Sequence, residues 1–537
     1  MKRFLDEKRD KQNNLEPHFD LGEMGLALAP SKESKMSDRD IKELVIVGGG
    51  TAGWMTAAAV AKVMGPRVNI TLVESDDIGI IGVGEATIPP IRLFNDLVRI
   101  DEDDFLAKTQ GTFKLGVQFV DWYKKGESYS HDFGPIGKDL GYIPFHNYWL
   151  SENRNGAKYS FWDYGVNNLA MRQNKFDRLA MIPNSPLPGI VHAFHFDAGL
   201  YAKYLRTIAE KLGVKRVEGK VLGATLNGET GFIKHVDMNS GTEIAGDFFI
   251  DCSGFRGLLI GDALNTKFED FSSWLPVNRA LAVPCEKASP LTPYTRSTAH
   301  RAGWQWRIPL QHRTGNGNVY CADHMNDDEA HDHLMKNLDG KPLDDPRLIK
   351  FTTGRRENFW VKNCIAIGLS GGFLEPLEST AIHLIQSSIN QLVQLFPRLG
   401  ENPEASAEYN QIIKNEFDHI RDFIVLHYHA NERMGEKFWD EMRNKPIPDT
   451  LKHKIELFRE SGAINPTQID LFKLSSWVQV MLGQGIVPRT FHPFVNTIAP
   501  KDLQTYMHDL RSIMNGAVER MPSHEGFIAR ICRARPT

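Results

Sequence analysis

The 537-residue chain has no stretch of about 18 consecutive apolar residues, so no membrane-spanning helix is expected. Cysteine is scarce. The five are Cys252, Cys285, Cys321, Cys364 and Cys532, and none forms a C-x-x-C pair. An odd, scattered set argues against a disulfide framework and fits a reducing compartment. Neither sign of charge dominates. A formal net charge of -4 gives no electrostatic reason to expect nucleic acid or an anionic membrane as partner. The N-terminal "MKRFLDEKRDKQ" alternates charge and has no apolar core, so it does not read as a secretory signal. The expectation is a cytoplasmic protein. No G-x-S-x-G elbow or Cys/His nucleophile pattern stands out, and no internal repeat or low-complexity tract is seen. "CADHMNDDEAHDH" gathers Cys321, His324, His331 and His333, but in no zinc spacing. It reads as an exposed acidic helix, and no metal is expected.

What is present is ordinary globular composition, 41% hydrophobic and 24% charged. Residues 1–38 are polar with little periodicity and read as a flexible extension. Then "IKELVIVGGGTAGWMTAAAVAKVMG" and "NITLVES" give strand, glycine turn, helix, strand. A helix capped by Asp197 and stopped at Gly213 follows later. After it comes a β-meander with turns at "NGETG" and "NSGT". Beyond about residue 385 the spacing turns helical. The expected fold is α/β: a Rossmann-like core with an inserted sheet over 39–385, and a mainly helical part over 386–537.

Gly48, Gly50 and Gly53 form G-x-G-x-x-G between strand and helix, and Glu74 ends the next strand. The glycines allow a tight turn and close approach to a pyrophosphate. The helix N-terminus receives its charge, and the acid meets a ribose hydroxyl. Two later segments, "FIDCSGFRG" and "CIAIGLSGGFLEP", are strands followed by small-residue turns, as FAD folds use; Gly368 lies in the second. No second G-x-G-x-x-G suggests a separate NAD(P)H domain.

In "TQGTFKLGVQFV" (Thr109–Val120), period two puts Phe113, Leu115, Val117 and Phe119 on one apolar face. Lys114 points the other way, where Gly116 and Gln118 leave room beside it. The alternation alone does not separate a solvated lysine from a functional amine.

Four motifs occur in order: "GGGTAGW" (Gly48–Trp54), "GVGEATIP" (Gly82–Pro89), "WQWRIP" (Trp304–Pro309) and "EPLEST" (Glu375–Thr380). Together they resemble the flavin-dependent halogenases, the class that includes the tryptophan halogenases, over roughly residues 41 to 530. The resemblance implies that reduced FAD and O2 oxidise chloride or bromide to hypohalous acid. That oxidant reaches a lysine beside an aromatic substrate. Lys114 stands where that lysine belongs. It either forms a haloamine or donates a hydrogen bond to the halogen. Glu378 aligns with the carboxylate that orients the halogenating species or accepts the ring proton. Thr51 and Ala52 belong to the pyrophosphate turn, and Gly84, Glu85 and Ala86 to a strap over the flavin. Ser379, Thr380 and Ala381 fall where the family holds halide. Trp304, Trp306, Ile308 and Pro309 form the wall between flavin and substrate.

His131 and Phe133 align with positions that sandwich an indole, and Phe472 falls near a third. Between "AINP" and "SWVQVMLGQGIVP" only "TQIDLFKLS" stands where tryptophan-specific enzymes carry a longer lid. The expected substrate is therefore an indole-like or phenolic aromatic. Free tryptophan and an aromatic hydroxylase activity are the alternatives, and a non-catalytic flavin carrier is a further one. The implied partner is a separate flavin reductase that meets the enzyme transiently. A monomer or homodimer is expected.

Overall fold

Leu44, Val45, Ile46 and Val47 are apolar in succession, which suits a parallel strand covered on both faces. The computed structural model describes residues 37–77, 84–465 and 470–534. In it the strand Glu43–Val47 lies inside a six-stranded sheet. Phe248–Asp251 and Asn69–Glu74 flank it in parallel. Cys364–Ala366 and Lys215–Glu218 extend the sheet, and antiparallel Trp360–Val361 ends one edge. The crossover helix is Thr51–Met64, buried continuously from Gly53 to Ala61. It packs between the helices Ala198–Lys211 and Ala381–Gln394.

Gly48 makes this entry possible. Its φ is +115°, and a Cβ there would stand 2.2 Å from the Cys252 carbonyl oxygen. Gly48→Ala is expected to cost about 2 kcal/mol or more, because strain and a backbone clash add. Thermal unfolding reads this directly. An unchanged midpoint would contradict it.

The inserted sheet has seven strands in the order Arg347–Lys350, Arg279–Glu286, Arg313–Tyr320, Gly303–Pro309, Thr295–His300, Gly116–Val120 and Ser128–Asp132. All neighbours are antiparallel except Thr295–His300 against Gly116–Val120. The meander appears as Val221–Leu226, Ile233–Met238 and Glu243–Ala245, turning where the sequence predicts. Asp197 caps Ala198–Lys211 by accepting from Leu200 N at 3.0 Å, and Gly213 follows at φ +97°. The later chain is helical, with Pro403–His429 the longest element. One hydrophobic core runs from Ile46 through Trp304 to Phe423 and Trp477. Residues from Ile41 onward form one compact unit. The expected extension at 1–38 falls, except for its last two residues, outside the described residues.

The lysine segment differs from the single strand its alternation predicts. Thr112–Lys114 pairs with Ala193–Asp197 in a small three-stranded sheet, whereas Gly116–Val120 belongs to the seven-stranded one. The chain changes sheets at Leu115, whose N–H donates to Pro293 O at 2.8 Å and whose carbonyl accepts from Phe133 N at 2.9 Å. Both faces are covered, so alternation could not mark an exposed side. Gly116 does not make room beside Lys114 either. A Cβ there would lie 2.5 Å from His131 O, so the glycine lets two strands approach closely. The "GVGEATIP" segment is also more regular than a loop. Gly84–Ala86 is a strand paired with Ala193–Asp197, while Gly82 and Val83 lie outside the described residues. The acidic segment contains the helix Asp327–Lys336, with reciprocal capping bonds between Asn326 and Glu329.

Candidate active site

The glycine turn opens onto a cavity of about 300 Å³. Gly50, Thr51, Ala52, the strand Gly84–Ala86 and Gly368 line it, and Gly368 sits against Ala52. Gly50 caps the first helix without a side-chain bond, and the first turn holds no acid. Its free N–H groups therefore face the cavity side with nothing competing, as a pyrophosphate needs. Gly53 serves packing. A Cβ there would meet Gly48 O at 1.8 Å. Glu74 stands at the end of its strand, with Arg216 Nε 2.6 Å from Oε1 and Trp54 Nε1 3.4 Å from Oε2. These features fit a dinucleotide such as FAD.

Trp306, Ile308, Ser379 and Ala381 also line the cavity, with Ile308 next to Gly84. Trp306 lies flat across its cross-strand neighbour, where a Cβ on Gly317 would fall 1.9 Å from the indole ring. Trp304 stands behind it, ring centroids 6.0 Å apart, and does not line the cavity. Pro309 is set back likewise, and its carbonyl accepts from Thr112 Oγ1 at 2.7 Å. Ser379 takes φ +60°, turning the chain into the helix Ala381–Gln394. Thr380 is fully buried and its hydroxyl oxygen has no hydrogen-bond partner. An unpaired hydroxyl beside a helix N-terminus suits a small anion.

Lys114 and Glu378 lie beyond that wall. Lys114 is 0% exposed and its Nζ donates to Ser379 Oγ at 2.8 Å. The amine sits 5.2 Å from the centre of the Phe133 ring. Burial pushes its pKa down to about 7, against an opposing pull from the Glu378 charge. Glu378 is 1% exposed, not a solvated helix-start acid. It closes the short turn Pro376–Glu378, ahead of the helix. Burial alone would raise its pKa, but His131 and His427 outweigh this and hold it down to about 2. His131 Nδ1 lies 2.9 Å from Oε2, and His427 Nε2 lies 2.9 Å from Oε1. A carboxylate and a poorly solvated amine thus share one enclosed space.

The predicted site residues therefore fall into three groups. Gly50, Thr51, Ala52, the strand Gly84–Ala86, Gly368, Trp306, Ile308, Ser379 and Ala381 line the cavity, while Gly48, Gly53, Glu74, Trp304 and Pro309 are set back from it. Lys114, Glu378, Thr380 and Phe133 are not in the lining and gather next to Ser379. His131 joins this second group by bonding Glu378, a use its expected stacking role did not include. Phe472 forms the third. It stacks on Phe423 at 3.9 Å, and its ring centre is 5.9 Å from that of His131. His427 is the residue that sequence reading missed. "HYHA" reads as surface or core, and the structure puts His427 at the carboxylate. Glu375, fully buried, accepts from Tyr428 OH at 2.7 Å. Burial pushes its carboxyl up to about 8.

A nucleotide turn, a cavity lined in part by indole and a secluded amine next to a carboxylate fit a flavoprotein oxidoreductase. Comparison with known proteins makes the class specific. The tryptophan halogenase family model matches residues 43–500. A solved flavin-dependent halogenase from Xanthomonas campestris is 45% identical, with a TM-score of 0.90, covering 93% of this chain and 100% of that one. BrvH, a flavin-dependent halogenase from Brevundimonas sp. BAL3, is 42% identical with a TM-score of 0.88, covering 91% and 99%. The tryptophan 6-halogenase SttH of Streptomyces toxytricini is 35% identical over 520 residues, 92% of this chain and 99% of that protein. The chain belongs to the tryptophan halogenase family. It is a flavin-dependent halogenase, of a class that works with an aromatic substrate and a separate flavin reductase. No helix among the described residues is long and apolar enough to cross a membrane.

Proposed function

We propose that this enzyme halogenates an electron-rich, indole-like or phenolic aromatic with chloride or bromide. The glycine turn, the strand Gly84–Ala86 and Gly368 would hold FAD, delivered reduced by a separate reductase. With O2, reduced FAD supplies the oxidising equivalent that converts halide to hypohalous acid. The observation that carries the reading is Ser379. It lines the cavity on one side and accepts the hydrogen bond of Lys114 on the other. One side chain therefore separates the place of oxidation from the amine.

Trp306 and Ile308 keep the aromatic substrate from the flavin side. Thr380, Ser379 and the backbone at Ala381 hold the halide. Lys114, with its pKa near 7, is available as a free amine. Its Nζ attacks the halogen of hypohalous acid, forming N–X and releasing water. The aromatic carbon then takes the halogen from nitrogen, and C–X forms as N–X breaks. Glu378 accepts the proton released from the ring carbon and returns one to the amine nitrogen. Burial of both groups limits hydrolysis of the oxidised halogen.

The test supplies FAD, a flavin reductase, NADH, O2 and bromide or chloride with a panel of free indole, simple phenols and tryptophan. Halogenated indole or phenol, seen by mass spectrometry, is the expected product. Hydroxylated products would instead identify a monooxygenase. Preference for free tryptophan would overturn the substrate reading but leave the chemistry intact.

A further inference from the structure

We infer that His427 is a positioning residue for halogenation, holding Glu378 through a proton that lies between its Nε2 and the carboxylate's Oε1. This rests on the reading of Glu378 as the reacting carboxylate. His427 sits on the long helix Pro403–His429, and its Nδ1 lies 2.9 Å from the carbonyl oxygen of Phe423 one turn earlier. A carbonyl only accepts, so Nδ1 carries a hydrogen. Nε2 then faces Oε1 at 2.9 Å, with exposures of 0% and 1% for the two side chains. Two lone pairs cannot face each other at that distance in a dry interior, so a proton must lie between them. The contact is not aligned as a standard hydrogen bond, so the charge of the pair matters more than its direction.

The ring has little freedom to turn away. It lies 4.7 Å from the centre of Phe119, and the Phe423 and Trp122 rings stand nearly perpendicular to it at 5.3 and 6.0 Å. Gln484 Nε2 donates to the His427 carbonyl at 2.8 Å and pins the helix end. The titratable groups around the pair come from two other strands, Thr112–Lys114 and Ser128–Asp132. Lys114 acts on Glu378 from its strand, His131 takes Oε2, and Tyr129 sits near Glu378 with its hydroxyl pushed well up, chiefly by burial. On the helix itself, Tyr428 turns to Glu375. His427 is thus the only one of these groups facing Oε1 at ion-pair distance. Without it, none of these groups faces that oxygen at ion-pair distance, and burial favours the protonated acid.

The consequence is a change in proton order. In the wild type, activity below pH 7 falls as Lys114 alone protonates, so log kcat has a slope near one. In His427→Phe, Glu378 protonates in the same range and the slope rises toward two. The kcat for bromination of free indole at pH 7 should fall about tenfold or more, while KM for indole stays unchanged. His427→Gln, whose amide N–H still reaches Oε1, should restore a slope of one and most of kcat. Flavin fluorescence quenching confirms that each variant is folded and binds FAD. A wild-type kcat and slope in His427→Phe would overturn the inference. So would a slope of two in a folded His427→Gln. Glu378→Gln, measured alongside, separates the two ideas. If it brominates indole normally, the reading of Glu378 itself fails. If it is inactive while His427→Phe behaves as wild type, only the role of His427 fails.

Discussion

Lys114→Met is expected to lose halogenated product by at least about 10³-fold, on the scale of losing an activated nucleophile. It should still consume reduced flavin and O2. The reason is spatial. Lys114 does not line the cavity, and its side chain reaches the lining through its bond to Ser379. On the proposed mechanism, removing the amine leaves the cavity intact and takes away the acceptor of the oxidised halogen. Flavin oxidation followed by absorbance, with product followed by mass spectrometry, separates the two. Methionine also fills similar volume without a charge, so the variant should be more stable. The lysine pKa falls from 10.5 to about 7 on folding. The unfolded chain therefore holds more protons between those values, and wild-type stability rises with pH across that window. Below pH 7 the wild type bears the whole cost. At about 1.4 kcal/mol per pKa unit the shift is worth about 5 kcal/mol at most, and the lost neighbour of Glu378 offsets part of it. A gain on the order of 2 kcal/mol at pH 6, shrinking toward pH 10, is the expected outcome. A variant that halogenates at the wild-type rate would remove Lys114 from the mechanism.

Much of this architecture was legible because its physics is local. A glycine turn between an apolar strand and a helix reads directly from Leu44 to Met64. The Asp197 cap and the two meander turns are set by residues a few positions apart. Alternation misled at Lys114, because a change of sheet at Leu115 is made by partners far along the chain, Pro293 and Phe133. The resemblance of four separated motifs, not the strand pattern, brought Lys114 and Glu378 together. The same limit hid the histidines. His131 sits on one edge of the inserted sheet and His427 near the end of a 27-residue helix. One signal was available. Phe417, Ile420, Ile424 and His427 follow 3–4–3 spacing on one buried face. A histidine within such a stripe needs a partner for its ring nitrogens. Spacing shows that the need exists, but only the fold shows that Glu378 meets it.

The second large effect belongs to that carboxylate. Glu378→Gln keeps the shape and removes the charge, and halogenation should fall about 10²-fold or more, as for loss of a proton acceptor. Flavin binding and oxidation should persist, since Glu378 lies outside the cavity wall. The pH behaviour makes the test sharper. Glu378 raises the Lys114 pKa against the effect of burial. Without that charge the amine should lose its proton more readily, so the rise in residual activity with pH moves to lower pH. Stability should respond in the opposite region. The carboxyl is held down to about 2 from 4.5, chiefly through His131 and His427 against the effect of burial. Its stabilisation is present above pH 4.5 and disappears as pH falls through 2. Wild type and Glu378→Gln should therefore differ in Tm at pH 7 and converge toward acid. An amide cannot satisfy both histidines, because its one oxygen accepts from one ring and its NH2 faces the other. If residual activity instead rises at higher pH than in the wild type, Glu378 does not act on Lys114 through its charge, and the two groups do not work as a pair.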